Sequence, residues 1–183
     1  MTPQCDTASV RVCVAIIADT HGFLDPQVAD AVAGCDMVVH CGDIGGVAVL
    51  AALRPRTGRI VAVRGNNDVP DRWTGAQRRC LDGLPLQAEL ELPGGWLVVV
   101  HGDRVPAANR HVRLRRAFPH ARAISYGHSH RMVCDRSQRP WVLNPGAGGR
   151  ARTFGGPSCL ILEATAARWT VRELRFPKIG PGH

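Results

Sequence analysis

The stretch VRVCVAIIADTHG, Val10 to Gly22, opens as an apolar run rich in β-branched residues, interrupted only by Arg11, and ends abruptly at Asp19-Thr20-His21. An apolar run of this length that stops at a carboxylate and an imidazole reads as a buried strand whose end meets a functional loop. Outward from it, Pro26 to Ala33 has helical composition, and Gly34 stops it. Met37 to His40 is a second short strand, followed by the Gly42-Asp43 turn. Val47 to Leu53 suits a helix ended by Pro55, and Arg59 to Val63 is a third strand that runs into Gly65-Asn66-Asn67-Asp68. Strand, helix, strand, helix, strand is the rhythm of a parallel α/β unit.

The second half has another texture. Leu86 to Leu92, a Pro93-Gly94-Gly95 turn and Trp96 to Val100 form an expected hairpin that ends at His101. Pro106 to Phe118 reads as a helix, and Ala121 to Tyr126 as a strand ending at Gly127-His128-Ser129-His130. Further strands are expected at Arg131 to Asp135, Trp141 to Leu143, Ser158 to Glu163 and Trp169 to Phe176. There is no internal repeat, low-complexity tract or linker. A chain of 183 residues therefore reads as one domain, 10–177, with a loose lead at 1–9 and a tail at 178–183.

Apolar residues make up 45% of the chain, an ordinary globular share, and no stretch reaches the roughly 20 apolar residues of a membrane span. The lead lacks a signal-peptide core, so the expected location is cytoplasmic. The 7 cysteines are odd in number and form no C-x-x-C pair, which argues against both a disulfide framework and a structural zinc knuckle. A net charge of +8 favours anionic partners, and nucleic acid stays open among them. Lys178 is the only lysine, however, and arginine joins abundant Ala and Gly, a pattern that reads as coding bias.

Polar residues collect at the strand ends: Asp19 and His21, Asp43, Asn66, His101, His128 and His130. In an α/β sheet such ends share a crevice. Two carboxylates and four imidazoles packed there without a cation would suffer desolvation and repulsion. Two divalent metals about 3.5–4 Å apart relieve both and lower the pKa of a shared water to near 7. The mixture of carboxylate, amide and imidazole donors suits Mn, Fe, Zn, Co or Ni better than calcium.

Asp19-Thr20-His21, Gly42-Asp43, Gly65-Asn66, His101-Gly102 and Gly127-His128-Ser129-His130 resemble, in order, the signature of calcineurin-like metallophosphoesterases. The Val63-Arg64-Gly65-Asn66 and Leu143-Asn144-Pro145-Gly146 contexts resemble the small single-domain phosphodiesterase branch. The resemblance implies an α/β fold, a four-layer α/β/β/α sandwich of two mixed β-sheets flanked by helices. It implies that Asp19, His21 and His130 hold one metal, that Asn66, His101 and His128 hold the other, and that Asp43 bridges them. The implied reaction is attack of a metal-bridging hydroxide on the phosphorus of a small phosphate ester. Manganese is the expected ion, and relatives of this kind are often homodimers.

Many family members carry His where this chain has Asn67. An amide donates a hydrogen bond but holds no proton reserve, which predicts diesters with good leaving groups over alkyl monoesters. The aspartate and arginine that protein phosphatases carry after Gly-Asp are absent from Ile44-Gly45-Gly46-Val47. Arg64, Arg104, Arg150 and Arg152 lie beside motif loops, with Arg64 and Arg150 the leading candidates for the substrate phosphate. Asp103 reads as either a metal-supporting or a plain loop residue, and Asp68 as a turn residue. His40 reads as a buried imidazole bonded to backbone, and His111, His120 and His183 as solvent-facing. The arginines of Arg110 to Arg116 read as a solvated helix face. Trp73 fits either a pocket roof or packing. A non-catalytic protein-binding scaffold, the use of this fold in the retromer, is the alternative reading; the intact donor set favours the enzyme.

Overall fold

The computed structural model describes residues 10–178, so the expected lead at 1–9, and the expected tail apart from Lys178, lie outside the described residues. β1 spans Val12–Ile17. Its residues alternate between two cores: Val14 and Ile16 enter one, and Cys13, Ala15 and Ile17 enter another with Val28 and Val32. Both faces of the strand are covered, which is why its sequence shows no polar alternation. α1, Pro26–Ala33, starts on an Asp25 side chain that accepts from the Gln27 amide, with proline in the first turn where no intrahelical donor is lost.

β2 is Met37–His40, α2 Val47–Ala52 and β3 Arg59–Ala62. A single 3-10 turn at Pro70–Arg72 and α3, Gln77–Asp82, follow. β4 is Gln87–Leu92, β5 Gly95–Val100, α4 Arg110–Ala117 and β6 Ala123–Ser125. β7 is Met132–Asp135, β8 Trp141–Pro145, β9 Ser158–Ala164 and β10 Trp169–Arg175.

The strands form two five-stranded sheets, ordered β10-β9-β1-β2-β3 and β4-β5-β6-β8-β7. β1, β2 and β3 are parallel, as are β5, β6 and β8, and antiparallel strands complete each sheet. Ile16, Val39 and Leu162 of the first sheet meet Leu97, Val99 and Leu143 of the second in one core. α1 covers the outer face of the first sheet, and Leu114 of α4 packs on Val98, Ile124 and Val142 of the second. The four-layer α/β/β/α architecture follows.

Two elements differ from the sequence expectation. The helix expected from Pro106 begins only at Arg110, because Asn109 sits at φ 58, a left-handed conformation no α-helix continues through. α3 is additional; with Leu81 its only buried residue, it presents no apolar period to read. Among the described residues no helix is long and apolar enough to cross a membrane.

Candidate metal centre

Five loops leave the C-terminal ends of parallel strands. Those after β1, β2, β3, β5 and β6 carry Asp19 and His21, Asp43, Asn66, His101, and His128 and His130. The structure brings all seven together. His21 Nε2 lies 3.2 Å from His130 Nε2, which lies 3.5 Å from Asp19 Oδ1. Asp43 stands between the two halves, Oδ2 at 3.7 Å from His21 Nε2 and Oδ1 at 3.4 Å from His101 Nε2. Asn66 Oδ1 is 3.0 Å from both His101 Nε2 and His128 Nδ1. Donor atoms of Asp19, His21 and His130 fall within 4.8 Å of one another, as do those of Asp19, Asp43 and His101.

Local structure aims these atoms. His101 Nδ1 donates to the Cys41 carbonyl at 2.8 Å, and His130 Nδ1 to that of Ala151 at 3.0 Å. Each bond fixes a tautomer that turns Nε2 into the cluster. Asp19, His21, Asp43, His128 and His130 all adopt positive φ, between 48 and 67°. Left-handed backbone is costly for non-glycine residues and persists only where the surroundings impose it, and here it coincides with the donor positions. Gly65 is required by closeness: a Cβ there would meet the Asp43 amide nitrogen at 2.2 Å.

The electrostatics are those of a site built around positive charge. Asp19 Oδ2 is buried without a hydrogen-bond partner, and burial, only partly offset by His101, pushes the Asp19 carboxyl up to about 8. Burial also opposes ionisation of Asp43, yet His101 and Asn67 hold its carboxyl well below the usual range. His101 is buried too, but Asp43 raises it and favours imidazolium. Burial lowers His21 and His128, and takes His130 to about 4, so these rings offer lone pairs. Carboxylate, amide and imidazole atoms with one orphaned buried oxygen fit divalent metals of the oxygen- and nitrogen-binding kind.

The remaining candidates divide. Asn67 donates through its backbone amide to Asp43 Oδ1 at 2.8 Å and through its side chain to Oδ2 at 2.7 Å. Arg64 Nε is committed to the Asp68 carbonyl at 3.0 Å. Arg150 lies 3.4 Å over the Phe23 ring. Arg152 reaches the centre itself, its Nη2 donating to His130 Nε2 at 3.0 Å.

Several sequence readings are corrected. His40 bonds Thr20 Oγ1 at 2.9 Å rather than backbone; Thr20 spends its proton on the Ile44 carbonyl, so the ring nitrogen donates. His111 is not merely solvent-facing, since it joins Asp135 at 2.9 Å to the Tyr126 hydroxyl at 3.3 Å. Arg115 also pairs with Asp135, at 2.8 Å, and Arg110 lies over Tyr126, so half of that arginine face is structural. His183 lies outside the described residues. Trp73 is fully buried, and its Nε1 donates to Asp68 at 3.3 Å.

Asp68 and Asn144 matter more than their sequence contexts suggest. The Asp68 carboxylate accepts from the amides of Ile44, Gly45 and Gly65, which ties the loop after β2 to the loop after β3. Asn144 donates to the Gly127 carbonyl at 2.9 Å and to Ser129 Oγ at 3.1 Å, bracing the loop that carries His128 and His130. The only sequence hint was their position beside the glycine motifs.

Comparison with known proteins agrees with this geometry. Residues 12–167 match the model of the calcineurin-like phosphoesterase superfamily domain. A probable metallophosphoesterase of Methanocaldococcus jannaschii is 28% identical over 141 residues, 73% of this chain and 67% of that protein. Vps29 of Chaetomium thermophilum superposes with a TM-score of 0.69 at 15% identity, over 92% of this chain and 100% of that one. An archaeal phosphodiesterase superposes with a TM-score of 0.64 at 20% identity, over 88% and 99%. At these identities the two solved structures share a fold with this chain.

Proposed function

Because the chain belongs to the calcineurin-like phosphoesterase superfamily, we propose that it is a dinuclear metal-dependent phosphodiesterase acting on small phosphate diesters. The observation that carries this reading is the convergence of seven donors, five of them on strained backbone, around the orphaned Asp19 oxygen. Asp19, His21 and His130 would hold one ion, Asn66, His101 and His128 the other, and Asp43 both. When bound, such metals act as Lewis acids on the phosphoryl oxygens and supply a nucleophile from water near neutral pH.

The chain's own groups set the rest. Asn67 fixes both oxygens of Asp43 through its two donors and keeps one amide hydrogen to spare for a leaving oxygen. It has no proton to give, which supports diesters with acidic leaving groups over alkyl monoesters. Arg152, already at the rim of the first set of donors, is placed to turn its fork to a phosphoryl oxygen once His130 is otherwise engaged. Arg64 and Arg150 are the further candidates for the substrate phosphate. The likeness to Vps29 leaves room for a scaffold, but no observation at the centre favours one, since every donor position is filled.

The test is hydrolysis of bis(p-nitrophenyl) phosphate by chelator-stripped protein, before and after manganese, beside Asp43→Ala. Manganese-dependent turnover that falls at least a hundredfold in the variant is expected, since Asp43 touches both halves of the centre. Folded protein with no turnover in Mn, Fe, Co, Ni or Zn would overturn the proposal.

A further inference from the structure

Beside Asn66 opens a cavity of 610 Å³, between the loop after β3, the segment joining α3 to β4, and the loop after β5. Arg64, Asn66, Asp103 and Arg104 form its polar wall, and Leu84 and Leu86 part of its apolar one. A smaller cavity of 220 Å³ runs on from it. The two share Arg64, Leu86, Asp103 and Arg104, and the smaller one reaches Val105, Leu114 and Phe118 beneath α4. The result is one bent groove that borders the metal centre at Asn66 and at His101, polar at the former and apolar where it passes beneath α4, with two arginines where the character changes.

The charge in this groove is positive. Asp68 also lines it, but its carboxylate is engaged by three backbone amides and the Trp73 indole, so its charge is directed inward. Asp103 is then the single carboxylate set against Arg64 and Arg104. Arg64 is held in place through Nε alone, and Arg104 is exposed. Two guanidinium forks at the wall of a concave site match the planar recognition of a phosphate group.

We infer that this groove is a second phosphate subsite, and that the substrate is an organic phosphodiester bearing a further phosphate. The scissile ester lies at the metal centre, the second phosphate lodges at Arg64 and Arg104, and an apolar part of the molecule extends under α4. The inference rests on the phosphodiesterase reading and narrows its substrate class.

Two esters of one leaving group separate the possibilities: the p-nitrophenyl ester of thymidine 5′-phosphate, with and without a 3′-phosphate. Manganese-loaded protein is expected to prefer the 3′-phosphorylated ester by about tenfold in kcat/KM, the scale of a charge-assisted hydrogen bond. In Arg104→Ala the ratio falls toward one, whatever happens to the absolute rates, and high salt narrows it in the parent protein. A ratio near one in the parent, or a preference that survives in the variant, overturns the inference. Should neither ester turn over, the phosphodiesterase reading fails separately, and calorimetry decides the subsite. Thymidine 3′,5′-bisphosphate binding about tenfold tighter than thymidine 5′-phosphate then sustains it, and equal binding sinks it. Arg104 is exposed, so circular dichroism is expected to show the variant folded.

Discussion

At the scale of single residues, Asp19 has the most informative environment. Its folded carboxyl is raised from an ordinary 3.8 to about 8, so without metal the folded state keeps a proton that the unfolded chain has lost. Stability of chelated protein must therefore fall as pH rises across that interval, with a slope approaching one proton, about 1.4 kcal/mol per unit. His101, raised by Asp43, adds in the same direction above its ordinary 6.5. His21, His40, His128 and His130 are lowered and act oppositely below 6.5, where the unfolded chain takes up protons that the folded one refuses. The expected profile peaks near pH 6.5, and Asp19→Asn shallows its alkaline side. Thermal melts of metal-free protein between pH 5 and 9 on the order of one unit apart read this out, and an alkaline side unchanged in the variant contradicts it. The seven donors were legible because each closes an apolar run within a short motif. Arg152 was named among four arginines but ranked behind Arg64 and Arg150, since its approach to His130 depends on a loop that folds back over 22 positions.

At the scale of elements, the centre depends on loops that side chains tie to one another. Asn144 sits at the end of β8, fully buried, and its amide hydrogens hold the Gly127 carbonyl and Ser129 while its oxygen accepts from Gly146. Replacing it with Leu removes every one of these bonds while keeping a similar volume. His128 and His130 are then free to drift, and metal affinity is expected to fall about 10–100-fold, as for loss of a group that orients metal ligands. Manganese titration followed by calorimetry measures it, and an unchanged affinity in folded variant would deny Asn144 a positioning role. The strands themselves were readable from apolar runs, to within a residue or two at their ends. The start of α4 was not, because Asn109 tolerates a left-handed turn without requiring one, and a single such residue does not announce a break. The pairing of His111 and Arg115 with Asp135 was equally hidden, as it links a helix to a strand 24 and 20 positions away.

At the scale of the whole molecule, two sheets press on a shared core, and the centre sits where their parallel strands end. Leu97 lies in that core with no exposure, between residues of both sheets. Leu97→Ala is expected to cost about 2–5 kcal/mol, against within about 0.5 kcal/mol for the exposed Arg113→Ala, both read from urea midpoints. A small loss at Leu97 would mean that the sheets do not depend on each other for stability. The layered architecture was expected from the resemblance. Composition and alternation alone gave the parallel first half but not the placement of β8 between β6 and β7, which takes the strands of the second sheet out of chain order.

The left-handed backbone at Asp19, His21, Asp43, His128 and His130 has a further implication for anyone who tries to harden this protein against heat. Glycine adopts that conformation with less strain than the residues now there, so a search guided by melting temperature alone would be drawn to these positions. Each apparent improvement would remove a donor from the centre. Robustness and chemistry compete here for the same few residues, and thermostable variants should be sought anywhere but at the ends of these strands.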